Sequence, residues 1–141
     1  MKIQIASDLH LDLLHQRFPD FRAVEYTGAE VLVIAGDIHL HDEAIAAFRD
    51  WPVPVIYVHG NHELYGSSRA QVLERLRASS AGTRVHFLEQ DEYIVDGVRF
   101  LGCCLWTDFM LFAGMCEQAM QESDRCLMDF RKIVNEDGTP F

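Results

Sequence analysis

The sequence has little positive charge. It contains 12 Lys and Arg against 22 Asp and Glu, and its formal net charge is -10 over 141 residues. Nucleic-acid-binding proteins hold the phosphate backbone with clustered Lys and Arg, so this balance argues against a nucleic-acid partner. A phosphate site in so acidic a chain needs another source of positive charge, and bound divalent cations are often the largest local charges in a site.

Long apolar runs and an export signal are also missing. No stretch is long enough to span a bilayer, and residues 1–5 lack the charged start, apolar stretch and cleavage site of a signal peptide. The four cysteines match no zinc-binding spacing, which favours reduced, buried thiols. They are Cys103, Cys104, Cys116 and Cys126. We therefore expect a cytoplasmic protein with no membrane partner.

The composition is that of an ordinary globular protein. Hydrophobic residues make up 49% of the chain and charged residues 24%. These proportions and the length predict a single domain over residues 1–141.

Three apolar segments, each ending in a polar cluster, open the sequence at residues 3–7, 31–36 and 53–60. Continuous runs of Val, Ile and Ala are typical of strands buried on both faces of a parallel sheet. The segments between them fit helical crossovers. Asp42 is predicted to cap one helix, and Ser68 and Gln71 have capping-box spacing at the start of another.

The pattern changes after the second of these helices. Residues 85–88, 93–95 and 98–101 are strand-like, and Asp96-Gly97 is a strong hairpin signal. We expect the sheet to continue antiparallel here. A core-packing helix is predicted near residues 113–134, followed by a turn-like tail at 135–141. The apolar face of that helix comprises Cys116, Ala119, Met120, Leu127, Phe130 and Val134.

The polar clusters after the first three strands carry the chemistry. They read Ser-Asp-Leu-His at 7–10, Gly-Asp-Ile-His at 36–39 and Gly-Asn-His-Glu at 60–63. If the strands are parallel, all three clusters lie on one rim, at the carboxyl ends where open α/β folds bind ligands. Asp, His and Asn offer oxygen and nitrogen ligands that suit Mn, Fe or Zn. Gly36 and Gly60 would let the chain turn tightly and approach such ions.

Each cluster alone has an ordinary structural explanation, because strand ends and turns favour Asp. The ordered set of three is what makes a functional site the better interpretation. Three other histidines, His15, His59 and His86, are expected to have structural or surface roles. His39 and His41 follow Asp37 on the predicted rim and are retained as auxiliary site residues.

The three clusters, in this order, resemble the signature of the calcineurin-like metallophosphoesterases, Asp-x-His, then Gly-Asp, then Gly-Asn-His-Asp or Gly-Asn-His-Glu. The resemblance implies an α/β fold of the αββα sandwich type. It also implies two divalent metal ions, Mn, Fe or Zn, and a phosphate-ester substrate, either a monoester or a diester. Two such ions can clamp a phosphoryl group and activate a water molecule for in-line attack.

The resemblance also assigns roles to individual residues. It implies that Asp8 and His10 bind the first metal, that Asp37 bridges both, and that Asn61 binds the second. His62 would be the catalytic residue beside the phosphate, since imidazole titrates near neutrality and can protonate a departing oxygen. Glu63 is retained as an auxiliary residue with two open alternatives: it orients His62, or it has no role in the site.

The family's later ligands have no counterpart in this chain. Full members carry a further histidine and a Gly-His-x-His motif, whereas the last histidine here is His86. Residues 105–109, Leu-Trp-Thr-Asp-Phe, also resemble a segment of small bacterial members. We therefore expect an N-terminal portion, with the sandwich incomplete at the C-terminus. Two alternatives remain: a second copy supplies the missing surface in a homo-oligomer, or His39 and His41 partly replace the lost ligands.

The leading functional prediction is a metal-dependent hydrolase of phosphate esters. The alternative is a noncatalytic or incomplete domain that binds metal or a partner. A nuclease is a third option, because Ser-Asp-Leu-His also resembles the opening motif of DNA-repair nucleases in this superfamily, although the acidic charge weighs against it.

Overall fold

The computed structural model describes all 141 residues. The strands are β1 (Ile3–Ala6), β2 (Val31–Ala35), β3 (Val55–Val58), β4 (Val85–Phe87), β5 (Asp91–Val95) and β6 (Val98–Gly102). The α-helices are α1 (Leu11–Arg17), α2 (Glu43–Phe48), α3 (Arg69–Ser80), α4 (Cys116–Cys126) and α5 (Asp129–Lys132), and a 3₁₀ turn spans His62–Leu64. The α/β fold class is confirmed.

The first four strands form a parallel sheet in the order β1-β2-β3-β4. Each strand therefore pairs with its predecessor in the chain. Parallel crossovers are almost always right-handed, so stepwise growth in one direction places the intervening helices on the same face of the sheet. The opposite face needs a different cover.

Two apolar cores fill the two faces of the parallel sheet. Leu32 and Ile34 of β2 point into the larger core, which includes side chains of α1, α2 and α3. Val31 belongs to the smaller core, where Tyr93 and Phe100 of the β5–β6 hairpin pack. The central strands are thus buried on both faces, which accounts for their continuous apolar runs. The layers follow the order helix, sheet, sheet, which are the first three layers of the predicted αββα sandwich.

The hairpin prediction is confirmed, but the sheet does not continue into it. β4 pairs parallel with β3, and β5 and β6 form a separate antiparallel sheet. Between β4 and β5, Gln90 has a left-handed φ of 56°. This turn carries the chain across to the other face of the parallel sheet, where the hairpin covers it.

One of the two predicted helix caps is confirmed. Ser68 Oγ accepts a hydrogen bond from the Gln71 amide and caps α3, as predicted. Asp42 is the N-cap residue of α2, but its side chain makes no capping hydrogen bond. Its carboxylate instead accepts the Ser79 hydroxyl, which ties α2 to α3.

The prediction of one long core-packing helix near residues 113–134 is wrong. The segment forms two helices, α4 and α5, and α4 buries none of its residues. Met120 and Leu127 are 51% and 47% exposed, because no further layer lies against this face. The segment is attached through α5 instead, where the Gly66 amide donates to the Lys132 carbonyl oxygen.

The prediction that the cysteines are buried is wrong. All four thiols are free, but three are only half-buried and Cys126 is exposed. Among the helices, none combines the length and the apolar character that crossing a membrane requires.

Candidate metal centre

The three polar clusters meet at one edge of the parallel sheet. Backbone hydrogen bonds extend the pairing of β1 with β2 beyond the strands: the Asp8 amide donates to the Gly36 carbonyl oxygen and the His10 amide to the Asp37 carbonyl oxygen, both at 3.0 Å. The third cluster is linked to the second by a hydrogen bond from the His62 amide to Asp37 Oδ1 at 3.0 Å. Parallel pairing therefore produces the predicted rim.

Asp8, His10 and Asp37 form a compact group of ligand atoms. One carboxylate oxygen or ring nitrogen from each lies within 4.8 Å of the others. All three residues have left-handed backbones, with φ values of 53°, 44° and 55°. A non-glycine residue in this region costs about 1–3 kcal/mol, and such strain clusters at functional sites. In this unfavourable backbone conformation, one potential metal-ligand atom of each residue lies close to those of the other two.

The donors fit a divalent cation. His10 Nδ1 is buried and has no hydrogen-bond partner. Burying an unpaired ring nitrogen costs free energy, and a group bound to the imidazole would offset that cost. Two carboxylates and an imidazole are a ligand set that Mn, Fe and Zn accept. Asp8, His10 and Asp37 are therefore residues that could hold such an ion together.

Glycines at two positions let the rim loops touch. A Cβ on Gly36, whose φ is 86°, would lie 2.9 Å from the Gly60 nitrogen. A Cβ on Gly60 would lie 2.1 Å from Asp37 Oδ1. The predicted need for glycine is thus real, but its immediate cause is the approach of the loops to each other.

Glu63 holds the loops together. Its side chain is 0% exposed. Oε2 accepts the Asp37 and Gly60 amides at 3.0 and 2.8 Å, and Oε1 accepts the Ile38 amide and the Tyr57 hydroxyl, both at 2.8 Å. Burial, followed by the neighbouring Glu63, raises the pKa of Tyr57 well above its usual range, so Tyr57 remains a donor. Glu63 contacts the loop of Asp37 and not the ring of His62, so neither of its two predicted alternatives describes what it does.

His62 is oriented by a residue that the sequence did not single out. Its Nε2 lies 3.0 Å from Asp12 Oδ1, and its ring meets the ring of His10 edge-on, with centroids 4.5 Å apart. Nδ1 of His62 makes no hydrogen bond and is not among the fully buried atoms. Asp12 belongs to the first turn of α1, which the sequence did not predict. The sequence signal available was its position two residues after His10.

Asn61 is held by a residue from the far end of the chain. Its Nδ2 donates to Asp129 Oδ1 at 2.7 Å and to the Tyr65 hydroxyl oxygen at 3.2 Å, and Tyr65 donates its own hydrogen to the same Asp129 oxygen at 2.7 Å. Burial, followed by the Asp129 hydrogen bond, raises the pKa of Tyr65 to about 12. The Tyr65 hydroxyl therefore keeps its proton at neutral pH.

His39 and His41 lie on the rim but outside its ligand clusters. His39 Nδ1 accepts the Leu40 amide at 2.8 Å, and His41 Nε2 lies 2.9 Å from the Tyr65 carbonyl oxygen. Neither histidine joins Asp8, His10 and Asp37. The geometry gives no support to the idea that they replace ligands.

A cavity of about 640 Å³ opens beside Asn61. Its lining is mainly apolar and includes Trp106, Phe109 and Phe130 together with Asn61 and Asp129. A larger cavity of about 820 Å³ lies under residues 19–26 and includes none of the predicted site residues. The smaller cavity is therefore the one placed to receive a group bound at the rim.

An ion-pair network centred on the buried Glu89 supports the wall of this cavity. Glu89 binds Arg69, accepts the Cys104 amide at 3.0 Å and lies 3.4 Å from His59 Nε2. Burial alone would raise the pKa of Glu89, but the Cys104 amide, His59 and Arg69 together hold that pKa below its ordinary value. Burial, followed by Glu89, raises the pKa of the Cys104 thiol to about 11, which makes it a poor nucleophile.

Glu89 makes the stability of the fold vary with pH in the acid range. Because its pKa is lower in the folded chain, its contribution is complete above the unfolded value of about 4.3 and is lost as pH falls through the lower folded value. We expect Glu89→Gln to lower the free energy of unfolding by about 1–3 kcal/mol at pH 7, and this deficit to shrink below pH ~4. Urea denaturation at several pH values measures it. Glu92→Gln, in an exposed pair with Arg99, serves as the control, and an equal deficit at every pH would contradict the assignment.

The layer order and the rim define an α/β domain of the metallophosphoesterase type. The model of the calcineurin-like phosphoesterase superfamily domain matches residues 1–121, and the chain belongs to this family. The family is one of phosphoester hydrolases that generally use divalent metals. No curated protein shows significant similarity to the chain.

Proposed function

We propose that the chain is a metal-dependent hydrolase of phosphate monoesters or diesters. The observation that carries the proposal is the convergence of Asp8, His10 and Asp37 within 4.8 Å, on strained backbone, at the carboxyl edge of a parallel sheet. Asp8, His10 and Asp37 would hold one divalent ion, and Asp37 and Asn61 a second. Mn, Fe or Zn suits these donors. Ions at these positions would neutralise the phosphoryl charge and supply an acidified water.

His62 is the proposed general acid. Asp12 engages Nε2, so Nδ1 is the nitrogen left to pass a proton to the leaving oxygen. The 3.0 Å contact with Asp12 and the edge-on contact with His10 fix the plane of the ring. Positioned proton transfer of this kind contributes about 10²- to 10⁴-fold to the rate.

The cavity beside Asn61 suggests what the ester group is. Its apolar and aromatic walls, including Trp106 and Phe109, favour an organic group over a bare phosphate. The net charge of -10 disfavours a long nucleic acid. We propose a small phosphate ester whose alcohol portion is apolar or aromatic.

The test is hydrolysis of an aryl phosphate monoester and an aryl diester by the Mn²⁺-loaded chain. We expect Asp37→Asn and His62→Ala each to lower kcat/KM by at least about 10²-fold. Asp20→Asn and His15→Ala, which change the same residue types away from the rim, should retain the wild-type rate. Turnover that survives in both rim variants would contradict the proposal.

One feature favours a second candidate, a noncatalytic metal-binding domain. The other compact group of ligand atoms, His10, Asp12 and His62, shares His10 with the first and does not include the bridging candidate Asp37, so the two groups are not the predicted pair of ion sites. A chain that binds one Mn²⁺ tightly and hydrolyses neither ester would have this function.

A further inference from the structure

Asp129 reaches the metal rim from outside the part of the chain that matches the family. The match ends at residue 121, and Asp129 lies on α5, 68 positions beyond Asn61. Asp129 is nevertheless 9% exposed and contacts the Asn61 side chain directly. Neither the sequence motif nor the family match assigns it a role.

The contact decides which way the Asn61 amide faces. The two ends of a carboxamide, NH₂ and oxygen, have nearly the same shape but opposite hydrogen-bonding properties, so partners determine the orientation. A carboxylate oxygen accepts hydrogen bonds, and Asp129 Oδ1 therefore selects the NH₂ end at 2.7 Å. Tyr65 strengthens the choice: its hydrogen goes to Asp129, which leaves its oxygen to accept from Asn61.

This arrangement leaves one atom of the Asn61 side chain free. Nδ2 has two partners, whereas Oδ1 accepts no hydrogen bond from the protein and is not fully buried. The carboxylate of Asp37 lies next to the backbone on both sides of Asn61, since its Oδ1 accepts the His62 amide and abuts Gly60. An oxygen is the end of an amide that binds a cation, and the NH₂ end repels one.

We propose that Asp129 is a positioning residue that locks the Asn61 carboxamide with Oδ1 available to a divalent cation. This inference rests on the proposed function. Partners that orient a metal ligand from behind typically contribute about 10- to 100-fold to metal affinity. Without Asp129 the Tyr65 hydroxyl is the remaining partner, and it can accept from the NH₂ end or donate to the oxygen, so the amide can adopt both orientations and its NH₂ end faces the cation site part of the time.

The first readout needs no metal. In ¹⁵N-labelled protein, the Asn61 side-chain NH₂ pair is identified by its disappearance in Asn61→Ala. We expect Asp129→Ala to shift both NH₂ protons toward the values of a free amide. Asp124→Ala, an exposed aspartate on α4, should leave them in place. Asp129→Asn keeps an acceptor oxygen and should give an intermediate shift. The remaining amide spectrum shows whether each variant is folded.

The second readout is Mn²⁺ binding by calorimetry with the same variants. We expect the weaker Mn²⁺ site to lose about 10- to 100-fold in affinity in Asp129→Ala, less in Asp129→Asn and nothing in Asp124→Ala. The stronger site should be unchanged. An Asn61 NH₂ pair that does not move in folded Asp129→Ala overturns the proposal. Unchanged Mn²⁺ affinity in Asp129→Ala, measured beside a wild type that does bind Mn²⁺, also overturns the proposal. A wild type that binds no Mn²⁺ overturns the proposed function itself, which distinguishes the two failures.

Discussion

Glu63→Gln should destabilise the chain more than any other single-atom exchange at the rim. Each Glu63 oxygen accepts two hydrogen bonds, at least one of them from a backbone amide. Whichever oxygen the NH₂ group of glutamine replaces, that NH₂ group is a donor that faces another donor. A buried donor left unpaired costs about 1–3 kcal/mol. We expect the free energy of unfolding to fall by at least this amount in Glu63→Gln and by about 3–5 kcal/mol in Glu63→Ala, which leaves all four donors unpaired.

Urea denaturation measures the change, with Glu74→Gln as the matched control. Glu74 is an exposed residue of α3, where such a substitution usually shifts stability by less than about 0.5 kcal/mol. The rim should also loosen, so Mn²⁺ affinity should fall together with stability. Equal stability of Glu63→Gln and Glu74→Gln would show that the four contacts do not hold the loops.

Gly60→Ala should weaken metal binding through the addition of one methyl group. The new Cβ would lie 2.1 Å from Asp37 Oδ1, closer than any real contact, so the Asp37 carboxylate must move. Its bond to the His62 amide and its place beside Asp8 and His10 would then be lost. We expect Mn²⁺ affinity to fall by more than about 10-fold, and overpacking to lower stability by about 1–3 kcal/mol.

Gly82→Ala separates this clash from the general effect of alanine at a glycine. Gly82 has a φ of 73° but open space around it, so the substitution strains the backbone without touching the rim. It should cost about 1–2 kcal/mol of stability and leave Mn²⁺ binding unchanged. Wild-type Mn²⁺ affinity in Gly60→Ala would mean that Asp37 has room to move and still bind.

The sequence predicted the parts of the fold that depend on local pattern. Continuous apolar runs identified β1, β2 and β3, and Asp96-Gly97 identified the hairpin. Pattern does not reveal which sheet a strand joins. The assignment of β5 and β6 to a second layer follows from the turn at Gln90 and from the uncovered face of the first sheet, both of which are tertiary properties.

The same division applies to the candidate site. Asp8, His10 and Asp37 could be predicted as neighbours because parallel strands align their carboxyl ends, and the structure brings them together. Their metal-binding roles remain predictions. The residues that hold the site were harder to recognise. Asp12 depends on an unpredicted helix, and Asp129 contacts Asn61 across 68 positions of chain with no local signal.

The stepwise strand order also sets the order in which the site can assemble during synthesis. Each strand joins the one made just before it, so a growing chain can add β1, β2 and β3 as they leave the ribosome without waiting for later residues. Asp8, His10, Asp37, Asn61 and Glu63 all emerge within this first stage. Asp129 emerges much later. The nascent chain would therefore gather its cation ligands early and fix the Asn61 amide only near the end of translation.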